Sequence, residues 1–143
     1  MHVYQGIGLA APQVDKNVRI CVIGKEADKS LADDLVLVNP EIEILNRKKN
    51  VDNEGCLSVP NTFGQVKRAG QIRVRAWSQA GQPIEFMAKN LFARVIQHEL
   101  DHLNGILFID RATDVYEVTP EEKMKHLEQF REERKRKIEK ENP

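Results

Sequence analysis

The sequence predicts an α+β fold: mixed or antiparallel sheets packed around one central helix, with a further helix closing the chain. Three observations predict it. Short β-branched or alternating segments crowd residues 19–87. One strongly apolar helical pattern, residues 90–103, follows them. A charged helical pattern then runs from about residue 120 to residue 140. The chain has 143 residues, 41% hydrophobic and 31% charged, which suits a single domain over 1–143 with a sizeable core.

The elements follow in order. Residues 6–14 form a glycine- and alanine-rich turn. Residues 19–24 are short, β-branched and apolar, as a buried strand is, and residues 25–34 are polar and loop-like. Residues 35–38 are a strand stopped by Asn39-Pro40, and residues 41–45 alternate as a second, half-buried strand. Residues 47–53 read as a charged surface segment. Residues 71–77 place Ile72, Val74 and Ala76 on one face, and Ala80-Gly81-Gln82 turns them back into residues 83–87 as a hairpin. The helix over 90–103 ends at Asn104-Gly105, a glycine C-cap. Residues 106–109 read as a last strand. Thr119-Pro120-Glu121-Glu122 is a capping box that opens the closing helix, with Met124, Leu127, Phe130 and Ile138 as its apolar contacts.

Formal net charge is +0, which gives no electrostatic footprint for DNA or for an anionic membrane. No apolar run approaches the ~20 residues needed to cross a bilayer. The start lacks a basic flank and an apolar core, so no secretion signal is read there. Two cysteines, Cys21 and Cys56, make no disulfide framework, and a reducing, cytoplasmic compartment is expected. Cys21, between Ile20 and Val22, reads as a small core residue.

Inside the apolar helix stands Gln97-His98-Glu99-Leu100-Asp101-His102. Two histidines four apart lie one turn from each other on one helix face and can grip one metal ion together. Glu99 is placed to handle the proton of an attacking water. The bland reading is a solvated polar face, but the helix is otherwise largely apolar, and half-buried histidines want partners. Two ligands are too few, because a catalytic site of the zinc type takes three protein ligands and a water. The extended metalloprotease pattern asks for a third histidine where this chain has Phe108. Glu117 and Glu121 are the protease-type alternatives, and His2 and His126 lie at the two ends. Cys56, in Glu54-Gly55-Cys56-Leu57-Ser58, is the better third ligand, with Gly55 allowing close backbone approach and Pro60 stopping the strand soon after. Near the start, Gly6-Ile7-Gly8-Leu9-Ala10-Ala11-Pro12-Gln13 matches a dinucleotide fingerprint variant. Only five residues precede it and Pro12 interrupts any helix, so a tight turn or a substrate-approaching loop reads better.

These three stretches together resemble the peptide deformylase family, whose motifs Gly-x-Gly-x-Ala-Ala-x-Gln, Glu-Gly-Cys-Leu-Ser and Gln-His-Glu-x-Asp-His stand here intact and in order. The resemblance implies a divalent metal held by Cys56, His98 and His102, most often ferrous iron, with zinc, nickel or cobalt as substitutes. It implies hydrolysis of the formyl group from N-formylmethionyl peptides, in the cytoplasm and near the ribosome, by a bacterial, organellar or phage enzyme. Glu99 would carry the proton; the Gln13 amide and the Leu57 N–H would meet the oxyanion. Ile7, Gly8, Glu54 and Gly55 would line the peptide groove, and Val95 with the stem of Arg94 would receive the methionine side chain. Gln97 would order the glycine loop, and Asp101 would support the ligands or the nearby backbone. The chain departs from the family in two ways: only Met1 to Gln5 stand before the first motif, where the family carries a longer segment, as a short form or a sequence whose start is missing would show, and Phe63 replaces a basic side chain of some relatives. A zinc protease and an inactive, metal-stabilised binding relative are the alternatives; intact Glu99 and Gln13 argue against the second.

Overall fold

Most of the predicted alternation ends up in the larger of two antiparallel sheets. The computed structural model describes residues 7–14, 16–46, 48–56 and 58–141. Side chains at positions 13, 14, 126, 127, 130, 134, 137, 138 and 141 fall outside that description. Leu57, the Gln13 amide and the expected helix contacts Leu127, Phe130 and Ile138 therefore lie outside the described residues. In chain order the elements are β1 (Gly8–Ala10), β2 (Ile20–Ile23), β3 (Leu35–Ile44), β4 (Lys49–Cys56), β5 (Val59–Ala69), β6 (Gln71–Trp77), β7 (Pro83–Lys89), α1 (Asn90–Leu103), β8 (Thr113–Glu117) and α2 (Pro120–Glu141). One sheet has the order β1-β2-β3-β6-β7 and the other β4-β5-β8. Helix α1 packs on β1, β2, β6 and β7 of the first sheet and on β5 of the second, so it is central, as expected.

Four expectations need correction. The two strands at 35–38 and 41–45 are one strand, β3, carrying an irregularity between Val38 and Glu41 in its pairing with β6. Asn39 takes a left-handed φ of 49°, which asparagine tolerates, and Pro40 brings no N–H to the ladder, so the chain bulges instead of stopping. The charged segment at 47–53 is most of β4, and Pro60 does not end a strand but lies at the start of β5, where the β4–β5 register slips between Gly55 and Cys56. Backbone pairing with β5 holds β4 in place despite its polar side chains. Residues 106–109 are not a strand. Phe108–Asp110 form a 3-10 turn in which the Asp110 carboxylate accepts from the Leu107 N–H at 2.9 Å.

The termini of α1 follow from its ends. Gly105 has φ 75°, and the Ile106 N–H reaches back to the Asp101 carbonyl at 2.8 Å, closing a Schellman turn. Arg19 Nη1 donates to the Leu103 carbonyl and to Asn104 Oδ1, tying that end to the β1–β2 connection. At the start of α2 the predicted capping pair is present, with Thr119 Oγ1 accepting from the Glu122 N–H and donating to its carboxylate. Met124, expected as an apolar contact, is 70% exposed.

The main core lies between α1 and the five-stranded sheet and includes Ile23, Leu37, Ile72, Val74, Phe92 and Ile96. A smaller cluster, Cys56, Val66 and Phe108, lies on the side of the second sheet. Among the described residues, no helix is long and apolar enough to cross a membrane.

Candidate metal centre

Cys56 ends β4, while His98 and His102 stand one turn apart on α1. Across this junction of sheet and helix, one ligand atom from each of the three residues lies within 4.8 Å of the other two. Cys56 Sγ and His102 Nε2 are 3.1 Å apart. His98 Nδ1 lies 2.8 Å from Glu54 Oε1, which leaves Nε2 as the ring nitrogen for the ligand group. Phe108, at the position of the third protease histidine, is buried and stacks on the His98 ring at 6.2 Å. Glu117 and Glu121, the other protease-type ligands, are exposed.

The electrostatics suit a cation. Burial pushes the Cys56 thiol up, but hydrogen bonds to His102 and His98 and their charge outweigh it, bringing the thiol down to about 5. Burial disfavours a charged His98, yet its bonds to Cys56 and Glu54 and the charges of Glu54 and Glu99 raise it to about 10. Burial alone would raise Glu54; its bonds to His98 and Arg68 hold the carboxyl far below the usual range. These shifts favour the thiolate at Cys56 and the carboxylate at Glu54, and an entering cation competes with the proton of His98. A thiolate with two imidazoles fits zinc or ferrous iron and leaves a coordination position for water.

Glu99 is 4% exposed, and its Oε2 has no hydrogen-bond partner among the described residues. Burial raises its carboxyl to about 7 against the opposing charge of His98 and His102. A buried, unsatisfied carboxylate oxygen is costly unless something absent from the folded chain meets it. A buried carboxyl beside the ligand group, with one oxygen unpartnered, is placed to receive and return a proton.

Around the ligands runs a buried ionic lattice that sequence reasoning largely missed. The Arg68 guanidinium donates from Nε and Nη2 to Glu54 and from Nη1 to Asp101. Arg94 donates to Glu54 and to the carbonyls of Val66 and Asn50. Arg111 donates to both Asp101 oxygens, at 2.7 and 3.0 Å. Asp101 thus ties α1 to β5 and to the loop after α1. Among the described residues Gln97 bonds not to the glycine loop but to β5, pinning α1 there through both polar groups of Ala69, at 3.0 and 2.9 Å. Arg68 and Arg111 carried no local signal, since their partners are distant in sequence.

The remaining expected site residues fall as follows. Ile7 and Val95 are buried in the main core cluster. Gly8 opens β1, an edge strand of its sheet, and Gly55 pairs with Phe63, which is buried and stacks on Tyr116. Gln13 lies in the 3-10 turn Ala11–Val14. Both cysteines are free, and burial, followed by the charge of Glu99, pushes the Cys21 thiol up to about 12, as fits a core position.

Fold and site together define an α+β protein with a Cys-His-His metal-binding group and a glutamate between its histidines. The profile of the family described as polypeptide deformylase matches residues 1–117, and the chain belongs to that family. It is 51% identical over 105 residues to a peptide deformylase of Cellvibrio japonicus (strain Ueda107), covering 73% of this chain and 61% of that one. It is 45% identical over 113 residues to one of Prochlorococcus marinus (strain AS9601), covering 79% and 56%. The chain thus spans little more than half the length of these curated relatives. Among solved structures, the Synechococcus elongatus peptide deformylase in complex with actinonin superposes with a TM-score of 0.71 at 44% identity, covering 78% of this chain and 60% of that one. The Met-Ala-Ser-bound enzyme of Acinetobacter baumannii gives 0.68 at 39%, covering 74% and 70%.

Proposed function

We propose that this chain hydrolyses the formamide of N-formylmethionyl peptides, releasing formate and a free amino terminus. The observation that carries the reading is the pairing of the Cys56, His98 and His102 group with the unpartnered, buried Oε2 of Glu99. A divalent ion held there, ferrous iron in the cell with zinc, nickel or cobalt as substitutes, supplies Lewis acidity and lowers the pKa of water. Glu99 takes a proton from the attacking water as its oxygen bonds to the formyl carbon, and returns it to the nitrogen as the C–N bond breaks. The formyl oxygen gains negative charge, and the Gln13 amide and the Leu57 N–H are its donors, each contributing about 3 kcal/mol.

The peptide binds along β1, the terminal strand of its sheet among the described residues. Ile7, Gly8, Glu54 and Gly55 offer it backbone. The Glu54 carboxylate and the Arg94 guanidinium are engaged in the ionic lattice, so only the stem of Arg94, beside Val95, is left for the methionine side chain. One relative is Met-Ala-Ser-bound, and that tripeptide is what deformylation of formyl-Met-Ala-Ser leaves. New polypeptide chains at the ribosome, in the cytoplasm, are the source of such substrates. The experiment is formate release from formyl-Met-Ala-Ser by wild type and Glu99→Ala carrying the same metal. The substitution should cost about 10²–10⁴-fold. Equal rates would sink the reading, and cleavage of an unformylated internal bond would point to a protease.

A further inference from the structure

Gly8 has no conformational reason to be glycine. It is an extended strand residue paired with Ile23, and its φ is not in the left-handed region, unlike those of Gly81 and Gly105, whose φ values are 80° and 75°. In a strand interior glycine loses more backbone freedom than alanine and packs nothing. The cause is spatial. A Cβ at position 8 would lie 2.8 Å from Glu99 Cγ and 3.0 Å from both Cδ and Oε1. At Gly81 and Gly105 a Cβ would meet nothing within 4 Å, and at Gly64 it would meet Ala112, Thr113 and Val115, away from the site.

The helix has little freedom to retreat from such a Cβ. Gln97 fastens α1 to β5 through Ala69, and Arg19 holds its last carbonyls. His98 and His102 flank Glu99 and are themselves bonded to Glu54 and Cys56. Relief must come from the Glu99 side chain, which is 4% exposed and so cannot swing into water. We infer that Gly8 is a positioning residue for Glu99: the volume its missing side chain leaves open is the volume the carboxylate occupies, with Oε1 against the strand and Oε2 unpartnered. This goes beyond a role for Gly8 as groove backbone. It rests on the deformylase reading for the function of Glu99, while the contact itself does not.

The test is a pair of double-mutant cycles in the full chain, with nickel loaded to the same occupancy. In the kinetic cycle, Gly8→Ala is measured with Glu99 and with Glu99→Ala, which removes Cγ, Cδ and Oε1, the three atoms the added methyl would meet. Gly8→Ala should lower kcat for formyl-Met-Ala-Ser at least tenfold with Glu99 and should lower the residual rate less than twofold with Ala at 99. KM, the nickel Kd and the Kd of Met-Ala-Ser should stay within twofold. An equal loss in both backgrounds, or a loss confined to KM and peptide Kd, overturns the inference in favour of a groove role. In the stability cycle, Gly8→Ala should lower Tm by several degrees in the wild type and leave it unchanged or raised in Glu99→Ala. Misfolding of Gly8→Ala only when Glu99 is present supports the contact, and misfolding in both backgrounds overturns it. If wild type releases no formate, the deformylase reading falls while the stability cycle still decides the contact.

Discussion

Helix α1 has two dissimilar sides. Toward the five-stranded sheet it presents Leu91, Phe92, Val95 and Ile96 to a contiguous apolar core. Toward the three-stranded sheet it presents Arg94, His98, Asp101 and His102 to Glu54, Arg68, Cys56 and Arg111. Apolar packing is non-directional and tolerates exchanges that keep volume. Charge-assisted hydrogen bonds fix distance and direction, but leave an isolated charge in low dielectric when one partner goes. The first side therefore holds the domain together. The second holds the cysteine of β4 in register with the histidines of α1, at the cost of fragility.

The largest break should come from the lattice. Arg68→Met removes the cation shared by Glu54 and Asp101, whose buried carboxylates then rely on Arg94 and His98 and on Arg111 respectively. Urea unfolding of the metal-free protein should show about 3–5 kcal/mol lost. A loss under 1 kcal/mol would mean that the lattice is no more than a neutral substitute for packing. On the apolar side, Ile96→Ala empties a fully buried site and should cost about 2–5 kcal/mol. Nickel affinity of the molecules that remain folded should be unchanged. If Ile96→Ala weakened the metal as much as Arg68→Met, the division of labour between the two sides would be wrong.

The two sides were also unequally legible in the sequence. The apolar side was open to periodicity, because Ile72, Val74 and Ala76 alternate locally and the helix over 90–103 carries both its pattern and its glycine stop. The second sheet was not. Its strands β4 and β8 are polar, β5 carries a proline at its second position, and each is held by backbone pairing to a partner that a local window does not include. The metal ligands were readable because His98 and His102 share one helix and Cys56 stands in a distinctive motif. Glu54 was read as a groove residue, although its side chain is bound to three cations or cation-like partners; pairs such as Glu54–Arg94 and Arg68–Asp101 join positions far apart in sequence. Gly8 was read by its backbone, whereas the absence of its side chain only acquires meaning once Glu99 stands against it.

A smaller effect separates geometry from stability within the polar side. Glu54→Gln keeps the shape and can still accept from His98 Nδ1, but it loses the charge that fixes which ring nitrogen carries the proton. Metal affinity, read by competition with a chelator, should fall by about 10–100-fold, while the fold survives. An unchanged affinity would show that Phe108 stacking and helix geometry alone orient the ring.

The two cysteines offer the finest comparison, since each belongs to one side. Cys21 is 1% exposed in the main core, and burial raises its thiol to about 12. At pH 8 it is almost wholly protonated and screened from reagent, so alkylation requires opening of the apolar side. Its labelling rate should follow global unfolding with increasing urea and should not respond to metal, apart from the stability that binding adds. Cys56 lies within the ligand group, so labelling there should be suppressed directly by nickel, even in urea far below the unfolding midpoint. Mass spectrometry of peptides carrying each cysteine separates the two rates. Nickel protection of both to the same degree would mean that the sides open together, in one cooperative unit, and that the contrast between them is one of chemistry and not of local stability.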